Sequence, residues 1–410
     1  MYISFRENVY FTAGTKRSTI SNYETLNLYH LTDEETAFIQ KIIGKEKETL
    51  VLTAEEQSDL EFLIETGILT YSNRYLDGTI SHKYPCFQID FAWIEVTTRC
   101  NLKCRHCYDE SDLSCQNEMT LSEFKYAVEE LKSLGVKGIQ IIGGEPLVVG
   151  GQIFEMLEYS RALFDSVEIF TNGTLISGKN IDYFSKNKVK VALSVYSNNP
   201  QDHDKVTQVI GSHQKTLNAI SLLAENHVQY RVANVLMKNI DVGENTNPLF
   251  TLSKRRDIVR MCGRGNLSLL SRPLLKRKLI TKETFSAPLN NKLLERIKLG
   301  HNCFARRLYI GADLTVYPCV MERRIYHGNL KNDHLKNILN ENIFTLGKDK
   351  IKECKDCEFR YCCFDCRPDA LSEDIYAKPW NCTYNPYTGS WADIEDFITG
   401  IEKEYDVKFD

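Results

Sequence analysis

The fourteen cysteines of this 410-residue chain are the residues whose type and spacing point most directly to chemistry. Cys100, Cys104 and Cys107 form a C-x3-C-x2-C pattern, and eight other cysteines lie between residues 303 and 382. In a long chain, clustered cysteines indicate metal ligation or catalysis rather than a disulfide scaffold. Three closely spaced thiolates suit an iron–sulfur cluster that leaves one iron open to a small molecule. Zinc is the alternative, but its sites usually show two separated C-x2-C pairs.

Short polar or glycine-containing motifs follow several apolar runs that have the length of strands. Gly143-Gly144-Glu145-Pro146 follows GIQII, Asn172 follows VEIFT, and Ser194 lies near the end of VKVALSV. The two glycines allow the backbone to approach a ligand closely, and the Glu145 carboxylate can accept hydrogen bonds from an ammonium group. Barrel active sites lie at the carboxyl ends of strands, so we expect these motifs to meet the cysteine loop there.

Residues 90–280 have the alternating pattern that would bring these motifs together. Helical segments, for example 120–134 and 213–227, separate short apolar runs, which are FAWIEV, GIQII, VEIFT, VKVALSV, YRVANVL and NLSLL. Strand–helix repeats predict an α/β fold with a parallel sheet. Six units are too few for a closed eight-stranded barrel, so we expect a partial (β/α)6 TIM-like barrel.

Regions of different character flank this barrel. Residues 1–85 combine strand-like runs with two helices that begin after Thr32 and Thr53, which predicts a small α+β, winged-helix-like domain. Residues 281–410 carry most of the cysteines and end in a helix predicted over 391–404. Because this third region has few periodic apolar segments, we expect metal to stabilise it.

The bulk composition excludes some function classes. The formal net charge of −4 gives no basic field for nucleic acid. The amino-terminal residues have no signal-peptide pattern, and no apolar run approaches the roughly 20 residues that a membrane helix needs. We therefore expect a cytoplasmic protein that binds neither nucleic acid nor membrane.

The cysteine triplet, the GGEP motif, the Thr171-Asn172-Gly173 turn and Ser194 together resemble the radical S-adenosylmethionine superfamily. The resemblance implies that a four-iron cluster on the three cysteines binds S-adenosylmethionine and that a 5′-deoxyadenosyl radical abstracts hydrogen from a substrate. It also implies that the GGEP segment meets the methionine amino group and that Ser194 lies near the ribose. His106 stands where Tyr or Phe is common in the superfamily, and Tyr108 is a further candidate for packing near the adenine.

The carboxy-terminal cysteines resemble the SPASM domain of peptide-modifying members of that superfamily, including grasp-with-spasm and ranthipeptide maturases. The resemblance implies two auxiliary four-iron clusters. The outer cluster would use Cys354, Cys357, Cys363 and Cys382, and the inner cluster would use Cys303, Cys319 and Cys366. Either Cys362 supplies the fourth inner ligand, or one iron is open and could bind a substrate thiolate. Two structural zinc sites are the alternative, and Leu314 departs from the glycine usual before the second cysteine.

The resemblance implies a maturase that acts on a ribosomally made precursor peptide and forms a thioether between a cysteine sulfur and a carbon. Residues 1–85 would bind the leader of that peptide, and a flavodoxin- or ferredoxin-type donor would supply electrons. Carbon–carbon crosslinking, formylglycine formation of the sulfatase-maturing type and small-molecule dehydrogenation are alternatives. A degenerate, non-catalytic peptide-binding partner is a further alternative, against which the intact cysteine and GGEP motifs argue.

No general base can be assigned from the sequence. The candidates are His203, His213, His301, Tyr196 and Asp202, and Arg231 is a candidate partner for the cofactor carboxylate. Cys86, Cys115 and Cys262 stand apart from the clusters, and we expect them to be small buried residues rather than ligands.

Overall fold

The computed structural model describes residues 1–83, 88–243 and 256–410, so Cys86 lies outside the described residues. The strands are β1 Tyr2–Phe5, β2 Val9–Ala13, β3 Ser18–Asn22, β4 Asn27–Leu31, β5 Leu69–Ser72, β6 Phe91–Glu95, β7 Gly138–Ile142, β8 Ser166–Thr171, β9 Lys190–Ser194, β10 Tyr230–Leu236, β11 Arg256–Ile258, β12 Arg307–Ile310, β13 Thr315–Tyr317, β14 Gly328–Asn329, β15 Tyr384–Asn385 and β16 Ser390–Trp391. The α-helices are α1 Asp33–Ile42, α2 Ala54–Glu65, α3 Leu121–Ser133, α4 Gln152–Leu163, α5 Gly178–Asn187, α6 Pro200–Thr207, α7 Ser212–Glu225, α8 Arg272–Lys278, α9 Asn291–Leu299, α10 Leu335–Ile338, α11 Glu341–Phe344 and α12 Ile394–Glu404.

One large sheet dominates the described part of the chain, with the strand order β11-β10-β9-β8-β7-β6-β12-β13-β14. Neighbouring strands from β6 to β11 are parallel, and the described connections between β6 and β10 contain the crossover helices that parallel pairing needs. Ala92 of β6 lies opposite Ile139 of β7 on one side and opposite Leu308 of β12 on the other. The predicted α/β partial barrel is confirmed, and β12 from the third region extends its sheet.

The barrel core consists of branched apolar side chains on adjacent strands. Ile94, Ile141, Ile169, Val191 and Leu308 are all fully buried. Such residues suit parallel strands that are covered on both faces. The crossover helices bury one apolar face in turn, and the capping-box residues Thr120 and Glu123 define where α3 begins.

The prediction that NLSLL forms the sixth strand is wrong. The side chain of Asn266 accepts a hydrogen bond from the Ser268 N–H at 3.1 Å, and a short 3-10 turn follows over Leu267–Leu269. Asn stabilises such turns by bonding nearby backbone, which competes with strand pairing. The sixth strand is instead β11, whose Ile258 lies opposite Leu236 of β10.

The amino-terminal unit has the expected α+β composition. A three-stranded meander, β2-β3-β4, precedes α1 and α2, and β5 then returns to pair with β1. Both helices begin with a complete capping box, Thr32 with Glu35 and Thr53 with Glu56. Each box satisfies backbone donors that a helix start leaves open, which explains where these helices begin.

The amino-terminal unit packs directly on the cysteine-rich region. The Thr19 hydroxyl donates to the Glu358 carbonyl at 2.9 Å, and Arg360 donates to the Ala13 carbonyl at 2.7 Å. The terminal helix α12 starts at Ile394, three residues later than predicted, because Ser390–Trp391 pair in a short hairpin. Among the described residues, no helix combines the length and apolar character needed to cross a bilayer.

Candidate active site

The three amino-terminal cysteines lie on one cavity beyond the carboxyl end of β6. Cys100, Cys104 and Cys107 line this space, whose empty volume is about 1340 Å³ and which opens to solvent. Cys100 is nearly buried, with 8% of its surface exposed. Within the described ranges, no three metal-ligating side chains lie close enough together to hold a single metal ion.

Two glycines bring the GGEP segment against the start of the cysteine loop. The Gly144 N–H donates to the Thr97 carbonyl at 2.8 Å, and the Glu145 N–H donates to the Arg99 carbonyl at 2.9 Å. A Cβ atom on Gly143 or Gly144 would come closer than 3.0 Å to this backbone. The glycines are therefore required for backbone to approach backbone, and both also line the cavity.

Glu145 does not face the cavity but is fully buried behind it. Its carboxylate accepts hydrogen bonds from the Thr171 hydroxyl at 2.7 Å, the Asn172 N–H at 2.7 Å and the Leu147 N–H at 3.0 Å. Burial raises the pKa of Glu145 above its ordinary value, against these bonds. In this structure Glu145 positions the turn after β8 rather than reaching the cavity itself.

The turn after β8 is joined to the cysteine loop through side-chain amides. Asn172 donates to the Asn101 side-chain oxygen at 2.8 Å, and Asn101 donates to the Thr174 hydroxyl at 2.8 Å. Asn172 and Ser194 both line the cavity. Of the cofactor-binding residues predicted from sequence, those on the cavity wall are Cys100, Cys104, His106, Cys107, Tyr108, Gly143, Gly144, Asn172 and Ser194, whereas Glu145 and Pro146 lie behind it.

An aromatic pair forms part of the same wall. The rings of His106 and Tyr196 are 4.8 Å apart in an edge-to-face arrangement. Burial lowers the pKa of His106 to about 4, so its ring is neutral at physiological pH. Its Nδ1 atom has no hydrogen-bond partner in the structure, which leaves a buried polar atom available to a ligand in the cavity.

The environment of the cysteine loop favours the neutral form of its thiols when no metal is bound. Burial raises the pKa of Cys100 to about 12, and burial also raises the pKa of Cys104 and of Cys107. Metal ligation requires the thiolate form, which a bound iron–sulfur cluster stabilises. One buried and two partly buried thiols on one open cavity, with an unsatisfied ring nitrogen beside them, fit such a cluster and a polar ligand next to it.

Among the predicted general bases, the histidines lie away from the cavity wall. His203 is buried, its Nδ1 lies 3.2 Å from the Ser212 hydroxyl, and its ring packs between Tyr196 and His213. Burial lowers the pKa of His203 to about 4. His203 and His213 therefore support the Tyr196 wall from behind, and Asp202 on α6 pairs with Lys205 at 3.0 Å.

His301 and Arg231 also have structural partners. His301 Nδ1 accepts hydrogen bonds from the Cys303 and Phe304 N–H groups, at 3.2 and 3.1 Å. Arg231 lines the cavity and forms a bidentate pair with Glu168, with N–O distances of 2.9 and 2.6 Å. The guanidinium of Arg231 is thus held inside the barrel by a carboxylate of the chain.

An acidic pair that the sequence reasoning missed lies next to the cavity. Asp109, directly after Tyr108, lines the cavity and is 3.5 Å from Arg323. Glu95 is 5% exposed, and its pKa rises to about 8 because of burial and the nearby Asp109 charge. A charged residue within the apolar run FAWIEV was the available signal, since buried carboxylates are uncommon without a role.

The carboxy-terminal cysteines fall into two neighbourhoods. In the first, the Cys357 thiol interacts electrostatically with Cys354 and Cys363, and Cys363 interacts with Cys382. Lys348 is buried beside them, 3.9 Å from the Cys354 sulfur. These four thiols are the set that the SPASM resemblance implies for the outer cluster.

The second neighbourhood contains Cys303, Cys319 and Cys366. Cys319 interacts electrostatically with Cys303, and Cys366 interacts with Cys319. Arg260 from the loop after β11 donates to the Cys366 sulfur at 2.6 Å. Val320 and Met321, directly after Cys319, line the cavity of the first cysteine loop, so this neighbourhood adjoins it.

Cys362 lies beside the outer centre rather than the inner one, since it packs against the same aromatic cluster as Cys357, Cys363 and Cys382. Its thiol donates to the Phe359 carbonyl at 3.3 Å, and it packs near Tyr23 of the amino-terminal unit. Its electrostatic neighbours are Cys363 and Glu358. These contacts give no support to Cys362 as an inner ligand.

Leu314 shows why glycine is usual at its position. Its φ angle is +69°, in the left-handed region that side chains other than glycine rarely adopt. The turn is closed by a Leu314 N–H bond to the Gly311 carbonyl at 2.8 Å. The Leu314 side chain is 2% exposed, so burial in the barrel core offsets the backbone strain.

Comparison with known proteins matches the two regions separately. Residues 94–243 match the Radical SAM superfamily, and residues 303–358 match SPASM, an iron–sulfur cluster-binding domain. The antilisterial bacteriocin subtilosin biosynthesis protein AlbA of Bacillus subtilis is 36% identical over 152 residues, which are 36% of this chain and 34% of AlbA. The GTP 3′,8-cyclase of Clostridium perfringens is 31% identical over 162 residues, covering 38% of this chain and 50% of the cyclase.

A third bacterial relative extends these comparisons. The sporulation killing factor maturation protein SkfB of Bacillus subtilis is 26% identical over 201 residues, 48% of each chain. The matched segments therefore span between 34% and 50% of these relatives' own lengths.

The crystal structure of Streptococcus suis SuiB has the same overall fold. It covers 92% of this chain and 99% of SuiB, with a TM-score of 0.56 and 14% identity. SuiB has also been solved with S-adenosylmethionine and with the precursor peptide SuiA. The predicted fold and cofactor class are confirmed, and the chain contains a Radical SAM superfamily region over residues 94–243 and a SPASM iron–sulfur cluster-binding region over residues 303–358.

Proposed function

We propose that this enzyme is a maturase that forms a thioether within a ribosomally made precursor peptide. The observation that carries the proposal is that the first cysteine loop and the inner SPASM cysteines adjoin one cavity. The similarity to AlbA and SkfB, which are named for bacteriocin biosynthesis and killing-factor maturation, supports a peptide substrate. The similarity of fold to SuiB, solved with a precursor peptide, is consistent with this substrate class.

In this proposal Cys100, Cys104 and Cys107 hold the catalytic four-iron cluster, and Asn172 and Ser194 contact S-adenosylmethionine. When bound, the cluster and S-adenosylmethionine supply a 5′-deoxyadenosyl radical that abstracts a substrate hydrogen atom. The buried Glu145 is a positioning residue, because its carboxylate fixes the turn that carries Asn172. The neutral His106 ring and its Tyr196 partner form an apolar wall that excludes water from the reacting groups.

Joining a thiol to a C–H carbon removes two hydrogens from the peptide, and one leaves as the thiol proton. We propose that Asp109 accepts this proton. Asp109 faces the cavity, and its side chain is 10% exposed. Arg323, 3.5 Å from Asp109, provides a positive charge beside this carboxylate.

The auxiliary centres are assigned by the same proposal. Cys354, Cys357, Cys363 and Cys382 hold the outer cluster, whereas Cys303, Cys319 and Cys366 contribute to the inner one. Clusters held by these cysteines would supply an acceptor for the one electron that remains after hydrogen abstraction and bond formation, and a flavodoxin or ferredoxin would supply the electron for each new turnover. A cytoplasmic location follows from this chemistry, since reduced thiols and clusters need a reducing compartment.

We propose that residues 1–83 bind the leader of the precursor peptide. In the described part of the chain, β5 pairs with β1 alone, which leaves its second edge open to an added strand. Phe62 on α2 and Val51 are 62% and 86% exposed, which is high for large apolar side chains. An unpaired strand edge and exposed apolar side chains in the same unit suit a peptide that binds in extended conformation.

The test uses anaerobically reconstituted enzyme and the cysteine-containing short peptides encoded beside its gene. We expect a modified peptide that has lost two hydrogens and whose cysteine no longer reacts with an alkylating reagent. A peptide that loses two hydrogens but keeps a reactive cysteine would identify carbon–carbon crosslinking instead. Conversion of a cysteine to formylglycine would contradict the proposal.

The matched control replaces Cys100, Cys104 and Cys107 by Ala. We expect this variant to produce neither 5′-deoxyadenosine nor modified peptide, while it keeps its auxiliary clusters. Iron and sulfide contents of about twelve atoms each per chain in the unsubstituted enzyme would support three four-iron clusters. Stoichiometric zinc in anaerobic protein would contradict the auxiliary-cluster assignment.

A further inference from the structure

The loop after β11 contains a cysteine that the sequence patterns leave unassigned. Cys262 lies in a turn formed by residues 260–265, which we name the Cys262 turn, and it lines the main cavity. Arg260 of this turn donates to the Cys366 sulfur at 2.6 Å. The Met261 N–H donates to the Asp369 carboxylate at 3.0 Å. The Cys262 turn is thus bonded directly to the inner cysteine neighbourhood.

The thiol of Cys262 belongs to that neighbourhood as well. Burial and the nearby Asp369 and Cys319 raise the pKa of the Cys262 thiol to about 12, and Arg260, whose guanidinium contacts the Cys366 sulfur, opposes this rise. Val320 and Met321, which follow Cys319, line the same cavity as Cys262. Cys362 has no corresponding contact, since its neighbours are Phe359, Cys363 and Tyr23.

The position of the turn is strongly constrained. Gly263 has a φ angle of +55°, and a Cβ atom there would come closer than 3.0 Å to the Cys107 and Tyr108 carbonyls. The Arg264 N–H donates to the Cys107 carbonyl at 2.9 Å, and its guanidinium donates to the Cys104 carbonyl at 3.3 Å. One face of the turn therefore rests on the first cysteine loop while the other reaches the inner SPASM cysteines.

We propose that Cys262 is the fourth protein ligand of the inner auxiliary cluster, completing the set formed by Cys303, Cys319 and Cys366. A four-iron cluster takes one thiolate per iron, and the SPASM segment supplies only three at this centre. A barrel-loop cysteine thereby joins the two iron–sulfur regions of the chain. This inference rests on the proposed presence of an inner cluster.

The assignment has a consequence for mechanism. A cluster with four protein thiolates has no open iron, so a substrate cysteine does not bind to it. The inner cluster then serves as an electron acceptor beside the cavity, and the substrate thiol must be deprotonated by a side chain such as Asp109. Of the two roles that the sequence left open for this centre, full ligation therefore favours electron acceptance over binding of a substrate cysteine.

The test uses protein in which Cys100, Cys104 and Cys107 are replaced by Ala, so that only auxiliary clusters contribute to the spectra. Cyanide labelled with carbon-13 serves as a probe for an open iron. With Cys262 intact, we expect electron–nuclear double resonance to show no cyanide coupling. Adding Cys262→Ala should create a coupled cyanide signal or remove about one iron per chain.

Two controls make the outcome decisive. The same background with Cys115→Ala or Cys362→Ala should behave like the background itself. Cyanide coupling with Cys262 present, a Cys262→Ala spectrum identical to its parent, or an iron opened by Cys362→Ala would each overturn the proposal. If Cys262→Ala does not fold, Cys262→Ser is used, and an unchanged cluster spectrum in that variant counts against the proposal equally.

The failure of this inference is distinguishable from failure of the proposed function. If the background variant contains no iron–sulfur cluster at all, the auxiliary clusters themselves are absent and the proposed function fails. If it contains about eight irons per chain with one iron open to cyanide, only the Cys262 assignment fails.

Discussion

The Glu145 carboxylate accepts a hydrogen bond from the Thr171 hydroxyl at 2.7 Å; Glu145 is fully buried behind the cavity wall, and Thr171 is part of that wall. The same carboxylate accepts from the Asn172 N–H, and its own N–H is bonded to the Arg99 carbonyl. Glu145 therefore connects the GGEP segment, the turn after β8 and the first cysteine loop. We therefore expect any effect of Glu145 on cofactor binding to act through these loops.

Glu145→Gln should weaken both folding and cofactor binding. The two carboxylate oxygens accept from Thr171, Asn172 and Leu147. The amide nitrogen of Gln cannot accept a hydrogen bond, so at least one of these donors loses its acceptor. We expect a loss of about 1–3 kcal/mol in the free energy of unfolding and weaker S-adenosylmethionine binding. The measurements are equilibrium unfolding and calorimetric titration of reconstituted protein. Glu155→Gln, at an exposed position in the first turn of α4, is the control and should change neither.

At position 314, a glycine variant should be more stable than an alanine variant, which reverses the order usual for these two residues. Leu314→Ala loses the buried side chain, at about 2–5 kcal/mol, and keeps the left-handed backbone. Leu314→Gly loses the same packing but relieves strain of about 1–2 kcal/mol. We expect both variants to be less stable than the parent, with glycine the more stable of the two by about 1 kcal/mol. Urea unfolding under anaerobic conditions measures the order, and alanine above glycine would contradict the strain argument.

Phe62→Ser should impair leader binding without affecting S-adenosylmethionine cleavage. Phe62 is 62% exposed, so little folding energy depends on its ring. We expect leader-peptide affinity to fall by about tenfold, equivalent to about 1.4 kcal/mol. Ile210→Ser, at a 96% exposed barrel position, is the control and should leave leader affinity unchanged. Equal affinity for the parent and Phe62→Ser would remove Phe62 from the proposed docking surface.

His327 should make the protein less stable in acid. Burial lowers its pKa from 6.5 to about 3, and its Nδ1 accepts a hydrogen bond from the Asn340 N–H at 3.0 Å. Between pH 6.5 and about pH 3, His327 is therefore protonated in the unfolded chain but neutral in the folded chain. Stability from this group is complete above pH 6.5 and declines as the pH falls towards 3, by about 1.4 kcal/mol per pH unit.

The variant His327→Gln isolates this contribution because its amide oxygen can still accept from Asn340. We expect the pH dependence of unfolding to become shallower between pH 6.5 and 5.0, by about one proton's share of the slope. Measurements at pH 7.5, where the His327 ring is neutral in both states, provide the internal reference. An unchanged slope would show that His327 does not titrate differently in the folded and unfolded chains.

Much of the fold was predictable because its determinants are local. The apolar runs from FAWIEV to YRVANVL each form a strand, since branched side chains favour buried parallel pairing. Thr53 and Glu56 predicted the start of α2 because a capping box acts within four residues. The wrong prediction for NLSLL shows where local signals are not sufficient. Asn266 caps a turn there with its side chain, and the sixth strand is the more polar Arg256–Ile258 segment, which pairs with β10.

The sequence by itself determined the candidate ligands, because residue type and local spacing single out Cys100, Cys104, Cys107 and the later cysteines. Only the tertiary structure decided how distant groups combine. It turned Glu145 away from the cavity, brought Asp109 beside Glu95, and set Cys262 near Cys319. These relationships depend on which loops meet when the sheet assembles, and pairwise packing over long sequence separations leaves no periodic signal in the chain.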